Sequence, residues 1–386
     1  MQAYPITYQR ETSPAWLNYA AVLGGAPPRA SGRFRYLELG CGRGYSTLVH
    51  AASHPHGDFH ACDRDAEAIA GARSWANKLG LRNVAFHAVG FDGLRDQAPF
   101  DMIVAHGVYS WVDDAGRAAV RETLRTKLTP GGLAYVSYNC LPGWSDELPL
   151  RKLLSEFSAG TTIPNAVQAL NRLKSVNLAF FVQHPAAERA VSSWTEQPSG
   201  YLAHEYLAEA CVPMWSVDVA DEMAALGLTY VASATLRDNH EALLVDEATA
   251  GAIAALATPR LRQLAMDFAV NRSFRRDVFV KGASGEANPA LRDLAMASYG
   301  EIPESILVPR GRITFRPEFI AALRTLMARG PSTLGEAATA LGDNPAESAR
   351  NLLWLVAAGA LCPASEGDAA GAEARGKLKA IGVVPS

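Results

Sequence analysis

The chain is predicted to fold as a doubly wound, Rossmann-like α/β domain, followed by a mainly helical region and a small helical C-terminal domain. Three observations predict this. Short apolar segments at 34–39, 58–62, 83–89, 101–105 and 133–138 alternate with helical patterns, the rhythm of a parallel sheet covered on both faces. A turn of alternating glycines, Gly40, Gly42 and Gly44, joins the first strand to its helix. Acidic residues, Glu38 and Asp63, close the first two strands.

The elements follow in order. Residues 1–12 are polar and aromatic and read as extended. Ser13-Pro14 has the N-cap and first-turn chemistry of a helix through Leu23, and a Gly-Gly-Ala-Pro-Pro run ends it. After the first strand a helix covers 45–52. A second begins at Asp65, with Ile69, Ala72, Ala76 and Leu79 on one face. Val120, Leu124 and Leu128 mark a third, stopped by Thr129-Pro130-Gly131-Gly132 before the fifth strand.

Beyond Trp144 the rhythm changes. Residues 148–213 read as helical and 218–226 as a further helix. Strand candidates at 228–236 and 241–245 are placed to complete the sheet, 250–300 reads as helical, and 303–317 as a linker. Residues 317–361 suggest short helices in a helix-turn-helix or winged arrangement, and the small polar residues of 363–376 a flexible tail. The expected division is 1–147, 148–302, 303–362 and 363–386, with no internal repeat.

The length of 386 residues allows two or three domains. Apolar content of 49% and charged content of 19% describe an ordinary globular protein, and a net charge of −3 gives no general pull toward nucleic acid or anionic membrane. Five cysteines, without a Cys-x-x-Cys pair, argue against a disulfide framework or zinc cluster and for a reducing compartment. No signal core or membrane-length apolar run is visible, so the expected location is the cytoplasm. The Ala, Arg and Gly bias suggests a bacterial genome. His50, His54, His56 and His60 crowd together but straddle a helix, a loop and a strand. No metal site is expected from them.

Gly-x-Gly-x-Gly differs from the dinucleotide fingerprint Gly-x-Gly-x-x-Gly, and Glu38 directly before it suits a cationic ligand without phosphates. An acid at the tip of the second strand, Asp63, is placed to hold ribose hydroxyls. The combination resembles class I S-adenosylmethionine-dependent methyltransferases. That resemblance makes Glu38, Gly40, Cys41, Gly42, Gly44, Asp63, Arg64, Phe91, Asp92 and His106 the expected S-adenosylmethionine-binding residues. Asp92 is placed to reach the adenine amine and Phe91 to pack on the ring; the alternatives are a capping carboxylate and a core aromatic.

On the acceptor side, the fourth strand exits into His106-Gly107-Val108-Tyr109-Ser110-Trp111, and the fifth into Ser137-Tyr138-Asn139-Cys140-Leu141-Pro142-Gly143-Trp144. Tyr109, Trp111, Tyr138 and Asn139 are the substrate-side candidates. With Trp144 they can form one wall, or the tryptophans can simply anchor helices. These two loops, with 201–207 and 267–276, resemble bacterial methyltransferases carrying a methyltransferase regulatory domain, the rickettsial-type protein lysine methyltransferases among them. The resemblance implies methyl transfer to a nitrogen, lysine of a protein or peptide, and a homodimer built through the regulatory part. The alternatives are a small-molecule N- or O-methyltransferase, and a non-catalytic module that binds S-adenosylmethionine. A nucleic-acid acceptor is not expected, because the fourth strand lacks Asn/Asp-Pro-Pro-Tyr and no basic stripe is evident.

Overall fold

The computed structural model describes residues 6–29, 32–208, 210–282, 289–342, 344–365 and 367–383. The elements run α1 (Pro14–Leu23), β1 (Phe34–Leu39), α2 (Tyr45–Ser53), β2 (Gly57–Asp63), α3 (Ala66–Leu79), β3 (Val84–Ala88), β4 (Phe100–Ala105), α4 (Asp114–Lys127) and β5 (Leu128–Asn139). Helices α5 (Leu148–Ser158), α6 (Ile163–Ser175), α7 (Ala179–Gln183), α8 (Pro185–Ser193) and α9 (Ser199–Leu207) follow. Next come α10 (Ser216–Ala224), β6 (Leu228–Ser233), α11 (Glu241–Leu244), α12 (Glu247–Ala254), α13 (Pro259–Ala269) and β7 (Phe274–Lys281). The chain ends with β8 (Ala295–Ala297), β9 (Ser305–Val308), β10 (Gly311–Thr314), α14 (Pro317–Met327), β11 (Ser332–Thr333), α15 (Leu334–Ala340), α16 (Pro345–Ala357), β12 (Cys362–Pro363) and α17 (Asp368–Ala380).

Seven strands form the central sheet in the order β3-β2-β1-β4-β5-β7-β6. The first five are parallel, and β7 is antiparallel to both β5 and β6. One face, with Tyr36, Met102, Val104, Tyr135, Val278 and Val280, packs on α1. The same apolar cluster continues into Phe319, Leu323, Leu352 and Leu355 of the C-terminal helices. The other face, with Leu37, Ile103, Val136 and Phe279, packs on Val120 and Leu124 of α4 and on Val219 and Met223 of α10. Helices α5–α9 enclose a small core of their own around Leu154, Leu170, Phe181 and Trp194. The C-terminal helices α14–α16 accompany a small three-stranded sheet in the order β11-β8-β12.

Five expectations are corrected. Residues 241–245 are not a strand: they form α11, whose Leu243 and Leu244 are buried. The strand that completes the sheet is β7, inside a stretch expected to be helical. Both of its faces are buried, so its sequence lacks the polar/apolar alternation of a half-exposed strand. Leu128 begins β5 rather than ending a helix. The Thr-Pro-Gly-Gly run lies within that strand, where Gly131 adopts a φ of +70° beside a register shift against β4. Residues 303–317 hold the β9–β10 hairpin instead of a linker. The expected tail forms α17, which lies against α2; Leu378 and Val383 bury there with Tyr45, Leu48 and Val49.

Candidate active site

Parallel strands bring their carboxyl ends to one edge of the sheet, where doubly wound folds bind ligands. Glu38 comes from the central strand β1 and is 7% exposed. Its carboxylate accepts a hydrogen bond from Thr47, in the first turns of α2. Burial raises its pKa to about 7; Thr47 opposes the rise and the neighbouring charge of Asp63 adds to it.

The loop after β1 then turns through three left-handed glycines, with φ of +72° at Gly40, +51° at Gly42 and +70° at Gly44. A Cβ at Gly40 would lie 2.6 Å from Val108 and one at Gly44 would collide with Phe86, whereas a Cβ at Gly42 would meet open space. The loop is tied to β2 by bonds from Gly40 N (2.8 Å) and Cys41 N (3.0 Å) to Cys62 O, and from Gly42 N to Asp63 Oδ2 (2.8 Å). The other Asp63 oxygen accepts from Asp65 N at 3.0 Å. From the N-terminal segment, Gln9 donates its backbone N–H to Ser46 Oγ at 2.9 Å, which covers the start of α2.

The expected donor-side residues therefore separate. Glu38, Gly40, Gly42, Gly44 and Asp63 converge on one edge, and Phe91 packs beside Gly40 in the α4-face core. Cys41 sits in the loop with its thiol pKa pushed well up by burial, so it carries no charge. Arg64 and Asp92 lie exposed on the rim, and Asp92 pairs with Arg95 at 2.9 Å. His106, at the exit of β4, places Nδ1 2.8 Å from the Tyr135 hydroxyl. Burial is the main cause, and the Arg276 charge the lesser, that lowers its pKa to about 3 and keeps the ring neutral.

The acceptor-side candidates are not brought together. Tyr109 is fully buried; its hydroxyl donates to Glu222 of α10 and accepts from Arg121 of α4 at 3.0 Å. Tyr138 donates to Asp277 Oδ2 at 2.5 Å on the neighbouring strand β7. Both hydroxyls thus serve buried or half-buried carboxylates on the α4 face. Asn139 is buried, with its N–H on Ser110 Oγ (2.9 Å) and its Nδ2 on Cys211 Sγ (3.7 Å). Trp111 is half-buried in the β4 exit. Trp144 is buried 6.2 Å from the Tyr206 ring, an anchor for α9.

What lies next to His106 instead is a group that sequence reasoning missed. Phe274 meets the His106 ring edge-on at 6.2 Å, and the Arg276 guanidinium lies 4.8 Å from the Phe274 ring centre. Ser137 Oγ accepts Gly107 N at 2.9 Å, joining the β4 and β5 exits. Tyr135 was hidden in an apolar strand run. Phe274 and Arg276 lie in a motif whose signal was visible, but whose strand was not.

The edge fits a sulfonium donor. Two carboxylates, Glu38 and Asp63, flank the loop, and the Gly42 amide and Ser46 hydroxyl are already engaged within the chain. A pyrophosphate would meet negative charge there, while a cation without phosphates would meet complementary charge. A separate surface recess of about 370 Å³, lined by Arg33, Arg35, His56, Asp58 and Asp101, opens at the amino ends of the strands. That is the wrong edge for a ligand of this fold.

Residues 31–196 match the family described as "Methyltransferase domain", and residues 198–281 match the "Predicted methyltransferase regulatory domain". The chain is a class I S-adenosylmethionine-dependent methyltransferase with a methyltransferase regulatory domain. This methyltransferase is 32% identical to the uncharacterized protein sll1526 of Synechocystis, over 86% of this chain and 69% of that one. It is 28% identical to the uncharacterized protein RP789 of Rickettsia prowazekii, over 71% of this chain, and spans half of that relative. Its fold is shared with PKMT2 from Rickettsia typhi, at a TM-score of 0.75 and 21% identity over 94% of this chain and 77% of that one. A second structure of PKMT2 is in complex with AdoHcy. Among the described residues no helix is long and apolar enough to cross a membrane, and no group of His, Cys, Asp and Glu is arranged to hold a metal ion.

Proposed function

We propose that this methyltransferase acts on a nitrogen, the ε-amine of a lysine in a protein or peptide. The observation that carries the reading is the neutral His106 at the β4 exit. Burial, with the Arg276 charge adding to it, holds its pKa near 3, and a lysine amine brought beside it would meet the same desolvation and the same charge. An amine with a reference pKa near 10.4 must lose its proton before it can attack, so a β4 exit that disfavours a cation beside His106 prepares the nucleophile. The aromatic ring of Phe274 beside His106 adds surface without negative charge, and the buried Tyr135 hydroxyl occupies His106 Nδ1. The likeness of the two exit loops to rickettsial-type lysine methyltransferases supports the same reading, and extends it to a homodimer.

S-adenosylmethionine, when bound, supplies an electrophilic methyl group on a sulfonium. Toward it, Asp63 would hold the ribose hydroxyls and Glu38 the cationic methionine part. The open face of Gly42 would admit close approach, and Phe91 would pack on the adenine with Asp92, Arg64 and Cys41 at the rim. In-line attack then depends on orientation more than on acid–base work. Labelled S-adenosylmethionine, incubated with the full chain and a bacterial protein extract, should leave label in protein that hydrolyses to methyllysine. Label confined to small molecules, or released by mild alkali as from an ester, would overturn the lysine reading.

A further inference from the structure

The segment 267–276 supplies two sets of charged groups to opposite faces of the sheet. Arg275 turns to the α4 face, where it pairs with Asp267 (2.7 Å) and Asp277 (3.0 Å). Arg272 pairs with Asp238 at 2.7 Å. Arg276 turns the other way with Phe274, toward His106, and there no carboxylate among the described residues lies within ion-pair distance of it. Its Nη1 donates to the Thr235 hydroxyl at 3.2 Å. Its Nε is shielded from water and has no acceptor among the described residues.

The turn after β6 repeats the pattern. Ala234 N bonds to Arg276 O at 2.7 Å, and three residues later Arg237 also buries an Nε without an acceptor. Of the acids nearby, Asp238 meets Arg272 through Oδ2 while its Oδ1 is buried without a hydrogen-bond partner among the described residues, and Glu11 pairs with Arg10 at 3.5 Å; neither reaches Arg276. A guanidinium with one hydroxyl partner and no carboxylate beside it is shaped to receive one at its terminal nitrogens.

We propose that Arg276, aided by Thr235 and Arg237, seats a carboxylate of the methyl acceptor: the side chain of an aspartate or glutamate flanking the methylated lysine. The inference rests on the lysine reading above and names the kind of peptide that site takes. One aromatic ring, Phe274, separates His106 from Arg276. The span suits neighbouring side chains of an extended peptide, which advances about 3.3–3.6 Å per residue. The arrangement also divides the labour: His106 faces the amine with no charge, while Arg276 takes the charge of the adjacent residue.

The test uses the full chain saturated with S-adenosylhomocysteine and two fluorescent lysine peptides that differ only in Glu or Gln at positions within two residues of the lysine. Anisotropy should show the Glu peptide binding about tenfold more tightly, the scale of one charge-assisted hydrogen bond. Arg276→Gln should abolish the difference, Arg276→Lys should restore part of it, and Arg237→Gln should reduce it. S-adenosylhomocysteine affinity should stay at the wild-type level throughout, which reports that the variants are folded. Equal binding of the two peptides to wild type, or a preference that survives Arg276→Gln, would overturn the proposal. Methyl transfer measured on the same peptides separates the two readings. Lysine methylation that ignores Glu or Gln removes the seat and leaves the lysine reading; Arg276-dependent binding without methyl transfer does the reverse.

Discussion

Gly42 donates its backbone N–H to Asp63 at 2.8 Å, so the glycine loop and the tip of β2 form one piece. The carboxylate expected to hold the ribose also holds the loop expected to face the donor. Replacing Asp63 therefore removes both effects at once. Asp63→Ala should weaken S-adenosylhomocysteine binding by about ten- to a hundredfold, the scale of one or two hydrogen bonds to a charged group. Asp63→Asn keeps one oxygen for Gly42 and should lose less. Calorimetric titration checks both, and unchanged affinity in the Ala variant would remove Asp63 from the donor site.

The three glycines are not equivalent. Alanine at Gly42 meets only the cost of a left-handed backbone, about 1–2 kcal/mol, because the space beside it is open. Alanine at Gly40 bears the same cost and also pushes on Val108, 2.6 Å from the new methyl group. Gly40→Ala should therefore lower the melting temperature of the ligand-free protein more than Gly42→Ala does. Gly42→Ala should lose donor affinity out of proportion to its small loss of stability. Scanning calorimetry with and without S-adenosylhomocysteine separates these outcomes, and an equal rise of melting temperature on ligand addition in Gly42→Ala and wild type would contradict the second.

Glu38 couples donor binding to pH. Burial lifts its pKa from 4.5 to about 7, so the folded chain holds a proton that the unfolded chain releases. Stability contributed by that proton is present at low pH and is lost as pH rises from about 4.5 through about 7. Glu38→Gln removes the loss, and the ligand-free variant should gain about 1–3 kcal/mol over wild type at pH 8 but not at pH 4.5. The cationic donor favours the carboxylate, so S-adenosylmethionine should bind more tightly above pH 7 and release a proton near pH 6.5. The neutral sulfur of S-adenosylhomocysteine should show less of both. Urea unfolding at the two pH values and titration in two buffers measure these effects; parallel behaviour of wild type and variant would refute them.

The donor edge was legible because its signals are local. Glu38, the glycine turn and Asp63 lie within 26 residues, on strands whose apolar runs are short and clear. The surroundings of His106, where the acceptor is proposed to sit, are assembled from distant segments. Phe274 and Arg276 reach His106 only because β7 inserts antiparallel beside β5, more than 130 residues away in sequence. No period marks β7, since Arg275 and Asp277 are buried as a pair on one face while Val278 and Val280 are buried on the other. Tyr109 and Tyr138 looked exposed to a pocket because loops rich in aromatics usually line one. The carboxylates that hold their hydroxyls, Glu222 and Asp277, come from parts of the chain that no local pattern connects to them.

The buried network under β5 and β7 gives the sharpest separation of structure from chemistry. Arg275 lies between Asp267 and Asp277, Ser216 of α10 donates to Asp267, and Tyr138 donates to Asp277. Asp267→Ala leaves the Arg275 guanidinium with one carboxylate in a dry environment and should cost about 3–5 kcal/mol. Tyr138→Phe leaves Asp277 with both bonds from Arg275 Nε, at 3.0 Å each, and should cost only about 1–2 kcal/mol. Since the Tyr138 hydroxyl points into this network and not toward His106, Tyr138→Phe should keep S-adenosylhomocysteine affinity and retain turnover on any acceptor the wild type methylates. Urea unfolding, titration and a methyl-transfer assay on the same preparation decide it. A Tyr138→Phe variant that is stable, binds the donor normally and turns over a hundredfold more slowly would return that hydroxyl to the chemistry.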